Sequence, residues 1–125
     1  MKYLLDTDCC VYLLTGAIPV LNERVGACDA GSLVVSSVTF AEIAHGSNSG
    51  KLPRIDVLEG FIAEVPVVDF DLAAARAYAT LPFKRARFDR LIAAHALALG
   101  IGVVTNNPKD FADVPGLKVE NWTVV

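Results

Sequence analysis

Short apolar runs alternate along the chain with longer segments in which apolar residues recur every three or four positions. The runs predict strands over residues 3–5, 32–36, 65–68 and 103–105, with a fifth over 117–119. The longer segments predict helices over 9–14, 18–28, 55–62, 71–82 and 88–99, and one more after the second strand. Ser37 or Thr39 is expected to cap that helix, and Asp71 the helix at 71–82.

The predicted strands are apolar throughout and do not alternate between apolar and polar residues. Strands of this kind, interleaved with helices, are typical of a parallel sheet that is covered on both faces. We therefore predict a three-layer α/β/α fold with four or five parallel strands. The 125 residues show no linker and no internal repeat, which predicts a single domain over 1–125.

Composition excludes several classes of protein. With 54% hydrophobic and 20% charged residues, the chain is too apolar to be disordered, and its apolar runs are too short for a membrane span. Asp6 lies where a signal peptide would be apolar, so we expect a cytoplasmic protein. The three cysteines form no C-x-x-C motif, which disfavours a zinc or redox site and favours reduced core residues.

Positive charge is concentrated in one short segment of an acidic chain. The formal net charge is −3, yet residues 84–90 contain four cations around one acid. A local basic patch of this kind is compatible with a polyanion that docks at one place, although taken alone it is better explained as a solvated surface cluster. The four cations are Lys84, Arg85, Arg87 and Arg90.

Three acidic residues are predicted to meet at the carboxyl edge of the sheet. Asp6 directly follows the first strand, Glu42 lies in the helix after the second, and Asp89 opens the helix before the fourth. Ligand sites of open parallel sheets lie at this edge. Clustered carboxylates repel one another, and a hard divalent cation such as Mg²⁺ or Mn²⁺ would relieve that repulsion. Taken singly, each acid has a simpler explanation as a helix cap, a helix-dipole partner or a solvated residue.

The chain resembles the PIN-domain ribonucleases, most closely the VapC-like toxins of type II toxin–antitoxin pairs. The resemblance covers nearly the whole chain. It rests on ordered blocks of sequence: Leu4-Leu5-Asp6-Thr7-Asp8, Ser36-Ser37-Val38-Thr39-Phe40-Ala41-Glu42-Ile43, Phe88-Asp89-Arg90-Leu91-Ile92-Ala93-Ala94-His95-Ala96, Val103-Val104-Thr105-Asn106-Asn107 and Val114-Pro115-Gly116-Leu117-Lys118-Val119-Glu120-Asn121-Trp122.

The resemblance implies that Asp6, Glu42 and Asp89 are the catalytic, metal-binding residues. Similar proteins often carry a fourth acid where this chain has Asn107, so either Asn107 or the nearby Asp110 is a candidate for the fourth position. We further expect supporting contacts from Asp8 and Thr105.

The implied activity is metal-assisted hydrolysis of RNA phosphodiester bonds, with Mg²⁺ as cofactor and Mn²⁺ as a substitute. The four cations of residues 84–90 would then bind RNA phosphates, or serve the docking of an antitoxin. The implied partners are RNA, a cognate antitoxin and a second copy of the chain, in a heterotetramer or larger complex with the antitoxin.

Two other functions are weighed against the nuclease. Asp6-Thr7-Asp8 also resembles the opening motif of haloacid-dehalogenase-like phosphatases, with Asp6 as nucleophile, but the 20 residues after Thr105 leave no room for their later motifs. The other alternative is a non-catalytic protein-binding module. His95 lies on an apolar helix face and is expected to be a core histidine, and His45 a surface residue.

Overall fold

A computed structural model describes residues 1–82 and 88–125. The strands are β1 (Tyr3–Leu5), β2 (Leu33–Ser36), β3 (Val67–Val68), β4 (Gly102–Val104) and β5 (Val119–Glu120). The helices are α1 (Thr7–Thr15), α2 (Pro19–Gly26), α3 (Ser37–Asn48), α4 (Ile55–Glu64), α5 (Leu72–Ala79) and α6 (Phe88–Leu99), with a short 3-10 helix over Pro108–Phe111. Three of the four cations that are predicted to bind RNA, Lys84, Arg85 and Arg87, lie outside the described residues.

All five strands pair in parallel in the order β3-β2-β1-β4-β5. The chain builds outward from β1 through β2 to β3, and then crosses back to place β4 on the other side of β1. The strand order therefore reverses between β1 and β4, and this is where a doubly wound sheet opens a crevice at its carboxyl edge.

Neighbouring residues of one strand are buried on opposite faces of the sheet. Leu5, Val35 and Val104 belong to a core that includes residues of α1 to α4. Their strand neighbours Leu4, Val34 and Val103 belong to a second core, formed with α6 and the 3-10 helix. Side chains alternate across a strand, and each set packs against helices on its own side of the sheet. Both faces are therefore covered, and the predicted three-layer architecture is confirmed.

The helix caps agree with the sequence at Asp71 and differ at α3. Asp71 accepts a hydrogen bond from the Ala74 N–H at 3.0 Å, as predicted. The cap of α3 is Ser36, whose hydroxyl accepts from the Val38 N–H at 3.1 Å, so the prediction of Ser37 or Thr39 is wrong. The reason is that β2 passes into α3 without a loop, and the last strand residue becomes the cap.

The described part of the chain contains no helix that is long and apolar enough to cross a membrane. All three cysteines are free thiols, and Cys9 and Cys10 are buried in the core as predicted.

The close approach of β4 to β1 makes Gly102 sensitive to substitution. A Cβ at Gly102 would lie 3.0 Å from the Tyr3 ring and 3.1 Å from the Lys118 carbonyl oxygen. The ring cannot easily move, because the Tyr3 hydroxyl donates to Glu120 and accepts from Lys118. We expect Gly102→Ala to lower the free energy of unfolding by about 1–3 kcal/mol in urea titrations.

Gly60 provides the matched control for this prediction. It lies within α4, and nothing stands within 4 Å of the position that its Cβ would take. Gly60→Ala should therefore raise the free energy of unfolding by about 0.5–1 kcal/mol, because alanine is the better helix former. Equal effects of the two substitutions would contradict the packing described for Gly102.

Candidate active site

The polar residues at the carboxyl edge of the sheet come from three adjacent strands. Asp6 follows β1, Thr105 follows β4, and Ser36 ends β2. Asp6 and Thr105 therefore stand on the two sides of the switch point. The backbone fixes both of them, because the Asp6 N–H donates to the Val104 carbonyl at 3.0 Å and the Thr105 N–H donates to the Glu120 carbonyl at 2.9 Å.

The Asp6 carboxyl group is buried, with only 4% of the residue exposed. Its Oδ1 accepts a hydrogen bond from the Cys9 N–H at 2.8 Å and so caps α1. Burial raises the pKa of Asp6 above its usual value, and the charge of the exposed Asp8 acts in the same direction. Hydrogen bonds from Thr105 and Cys9 lower the pKa and only partly offset the effect of burial.

Glu42 lies one and a half turns into α3 and is half-buried. Its Oε1 accepts a hydrogen bond from the Thr7 hydroxyl at 2.7 Å. Burial raises the pKa of Glu42, and the charges of Asp8 and Asp6 raise it further. The carboxylates of Asp6, Asp8 and Glu42 therefore lie close enough to interact electrostatically, although Glu42 is 36 positions from Asp6 along the chain.

Thr7 was not singled out from the sequence. Its hydroxyl holds Glu42 and lies 3.2 Å from the Thr39 hydroxyl, so the first turn of α1 is tied to the first turns of α3. Its position directly after Asp6 was the available signal, but the sequence gives no information about its partner 35 positions away.

Asp89 lies in the first turn of α6 and is half-buried. This helix packs against α3 and β1, the elements that carry Glu42 and precede Asp6. Within residues 1–82 and 88–125, no three His, Cys, Asp or Glu side chains stand together as a group that could hold a metal ion. The complete ligand set of Asp6, Glu42 and Asp89 stays a prediction.

The loop after β4 carries the two candidates for the fourth position. The Asn107 N–H donates to the Thr105 hydroxyl oxygen at 3.0 Å, and the Asn107 side-chain amide donates to Asp110 at 2.9 Å. Since the Thr105 side chain also lowers the pKa of Asp6, this residue links the loop electrostatically to the buried carboxyl group.

Arg90 does not fit its predicted role as a phosphate-binding residue. Its side chain is 2% exposed and forms a 2.7 Å ion pair with Asp113, while a second guanidinium nitrogen donates to the Pro82 carbonyl at 3.1 Å. A guanidinium buried in this way cannot reach RNA, so the prediction is wrong for Arg90. Because Arg90 follows Asp89 in sequence, its contacts instead hold the first turn of α6 in place.

The donors at this edge are suited to a hard divalent cation. Asp6 and Glu42 offer carboxylate oxygens, the ligand type that such an ion prefers, and a bound cation would lower the raised pKa of both groups. The neighbouring thiols are excluded as soft ligands or nucleophiles, because burial and the charge of Asp6 keep the pKa values of Cys9 and Cys10 far above their usual range.

Comparison with known proteins decides the family. The family model described as PIN domain matches residues 3–117. The tRNA(fMet)-specific endonuclease VapC of Shigella flexneri is 33% identical over 132 residues, which cover 98% of this chain and 99% of that protein. The chain belongs to the PIN-domain family, among the VapC ribonucleases. Another VapC relative, ribonuclease VapC2 of Haemophilus influenzae, is 30% identical, with 98% of each chain covered.

Solved VapC structures have the same fold as this VapC-family chain. The structure of DNA-bound VapBC from Salmonella typhimurium superposes with a TM-score of 0.85 at 30% identity and 98% coverage of both chains. VapBC2 from Rickettsia felis, bound to a promoter DNA fragment, gives a TM-score of 0.84 at 28% identity, with 98% of this chain and 99% of that chain covered. PIN-domain nucleases depend on divalent metal ions, which agrees with the oxygen donors described above.

The Thr105 hydroxyl favours the ionised form of Asp6, so its removal should raise the pKa of that carboxyl group. We expect Thr105→Val to move the Asp6 titration midpoint to higher pH, as followed by carboxyl carbon NMR on metal-free protein. Thr80→Val is the control, because the exposed Thr80 hydroxyl donates to the Ala77 carbonyl within its own segment of chain. An unchanged Asp6 midpoint in Thr105→Val would contradict the assignment of this hydrogen bond.

Proposed function

We propose that this chain is a Mg²⁺-dependent endoribonuclease and the toxin of a type II toxin–antitoxin pair. The observation that carries the proposal is the pair of carboxyl groups of Asp6, which is buried, and Glu42, which is half-buried, each held by a hydrogen bond in a VapC-family PIN domain. Mn²⁺ is expected to substitute for Mg²⁺, because both ions prefer oxygen ligands.

Asp6, Glu42 and Asp89 are the residues that would hold the metal, with Asn107 or Asp110 at a fourth position. A bound divalent ion supplies charge neutralisation at the scissile phosphate and makes water a stronger acid. The protein prepares the ligands for this role. Thr105 and the Cys9 N–H orient Asp6, Thr7 orients Glu42, and Asp8 adds negative charge that favours cation binding.

RNA binding is assigned to the cations that precede α6. Lys84, Arg85 and Arg87 lie close in sequence to Asp89, so phosphates bound by them would lie near the metal ligands. The relatives from Shigella flexneri and Salmonella typhimurium are both named for cleavage of tRNA(fMet), and this tRNA is the first substrate to test.

The partner proposed for this cytoplasmic toxin is a cognate antitoxin. The structural neighbours from Salmonella typhimurium, Rickettsia felis and Haemophilus influenzae are VapBC structures, described for the first two as bound to DNA. We propose that this chain likewise pairs with an antitoxin, as a homodimer within a heterotetramer or larger complex. A monomeric elution profile of the toxin at micromolar concentration would contradict the homodimer.

Substitution of Asp6 tests the proposed catalysis directly. Asp6→Asn retains an oxygen that can cap α1 but removes the charge, so we expect cleavage of tRNA to fall by more than about 100-fold, and EDTA to abolish wild-type cleavage. Asp71→Asn is the matched control, because Asp71 caps α5 in the same way and is not among the proposed metal ligands.

Two results would contradict the nuclease. Absence of RNA cleavage by the wild type, together with a biological effect that Asp6→Asn leaves intact, would indicate the non-catalytic protein-binding module. Metal-dependent hydrolysis of a chromogenic phosphomonoester, without cleavage of RNA, would indicate the phosphatase alternative instead.

The raised pKa of Asp6 also predicts how stability depends on pH. An acid whose folded-state pKa is raised stabilises the fold while it is protonated, and that contribution is lost as pH rises through the folded-state pKa. We therefore expect Asp6→Asn to raise the Tm of metal-free protein at pH 8, measured by circular dichroism, with a smaller gain at pH 4. A fall in Tm at pH 8 would contradict the electrostatic strain assigned to Asp6.

A further inference from the structure

A buried hydrogen bond joins the two helices that carry Glu42 and Asp89. His95 Nδ1 on α6 lies 2.9 Å from the Ser36 hydroxyl oxygen at the start of α3. Ser36 is fully buried and His95 is 1% exposed. Because Ser36 is both the last residue of β2 and the cap of α3, this single bond connects β2, α3 and α6.

A neutral His95 ring that accepts this bond is compatible with the other contact of Ser36. Its oxygen already accepts from the Val38 N–H at 3.1 Å, so its own proton is available to donate, and His95 Nδ1 is the acceptor within reach. The ring is then neutral with its proton on Nε2. Burial lowers the pKa of His95 and favours this neutral form, against the opposing effects of Asp71 and Asp69. Nε2 has no hydrogen-bond partner of normal geometry among the described residues.

The turn between β3 and α5 closes over the same contact. The Phe70 N–H donates to the Ser37 hydroxyl oxygen at 2.9 Å. The Phe70 ring packs edge-on against the His95 ring, with centroids 5.5 Å apart and an interplanar angle of 75°. Four elements therefore meet at a contact made of Ser36, Ser37, Phe70 and His95, which we call the α3–α6 joint.

The joint lies at the same sequence distance from both acids. Glu42 is six residues after Ser36 on α3, and Asp89 is six residues before His95 on α6. Six helical residues span about 9 Å, so a rotation of about 5° at the joint would displace either carboxylate by about 0.8 Å. Metal and catalytic sites need their ligands held within about 0.5 Å.

We propose that the His95–Ser36 hydrogen bond is a positioning device that sets the separation of Glu42 and Asp89, and through it the affinity of the site for a divalent cation. The inference rests on the proposed function, since it assumes that these two residues are metal ligands. His95 is thus a positioning residue and has no contact with RNA or metal.

The test compares two substitutions of His95. His95→Leu keeps the volume and removes the hydrogen bond, whereas His95→Asn offers an oxygen near the position of Nδ1. For His95→Leu we expect binding of Mn²⁺ to metal-free protein, measured by calorimetry, to weaken about tenfold. The kcat for tRNA cleavage should fall in parallel while KM for the RNA stays within about twofold. His95→Asn should recover most of both losses.

Ser47→Ala is the matched control on the same helix. The Ser47 hydroxyl lies near the far end of α3. Two carbonyl oxygens are within hydrogen-bond distance of it, that of Ile43 at 3.0 Å and that of Pro53 at 2.5 Å. Its loss should lower the Tm and leave Mn²⁺ affinity unchanged. A folded His95→Leu variant that behaves in the same way, with a lower Tm and wild-type Mn²⁺ affinity, would overturn the proposal.

If His95→Leu does not fold, His95→Gln decides the question, because its longer amide keeps polarity but moves the polar atom away from Ser36. Weaker Mn²⁺ binding by the Gln variant than by the Asn variant supports the proposal, and equal binding overturns it. A wild-type protein that neither binds Mn²⁺ nor cleaves RNA would overturn the proposed function. A wild type that does both, with unaffected His95 variants, would overturn only the positioning role.

Discussion

The burial of a carboxyl group at the end of the central strand is the constraint on which the rest of the site depends. Asp6 follows β1, one of the two strands that flank the switch point, and only 4% of the residue is exposed. Its pKa is raised because the hydrogen bonds from Thr105 and Cys9 do not fully offset the loss of hydration. The fold therefore stores unfavourable electrostatic energy at one point, and a cation at that point is the most direct way to relieve it.

Helix capping and metal binding are compatible roles for this residue. A carboxylate has two oxygens and several lone pairs, and Asp6 commits Oδ1 to the Cys9 N–H. Capping thus fixes the orientation of the group at the junction of β1 and α1. Asp71 makes the same capping contact at an exposed position, so the burial of Asp6 comes from its surroundings and not from the cap.

Sequence patterns predicted those features that depend on neighbours in the chain. Apolar runs revealed the strands, and Asp71 was identified as a cap because capping is local. Arg90 was assigned wrongly, since it belongs to a run of cations while its burial depends on Asp113, 23 positions away. The contact of Thr7 with Glu42 is likewise invisible without the fold. At Arg90 and Thr7 the partner of a polar residue escaped prediction, and at α3 it was the residue at which β2 passes into the helix.

The contacts that hold the candidate ligands in place differ between strand or helix positions and the loop position. This difference affects which of these positions tolerates substitution. Asp6, Glu42 and Asp89 project from element ends or helix turns that are held by sheet pairing, the Thr7 contact and the α3–α6 joint. Asn107 projects from a loop that is tied to the site through Thr105 and Asp110. Substitution at a loop position disturbs no core packing. Loss of the helix-borne Glu42, in contrast, would remove the carboxylate that accepts from the Thr7 hydroxyl. An amide at position 107 is therefore compatible with an otherwise intact acidic site.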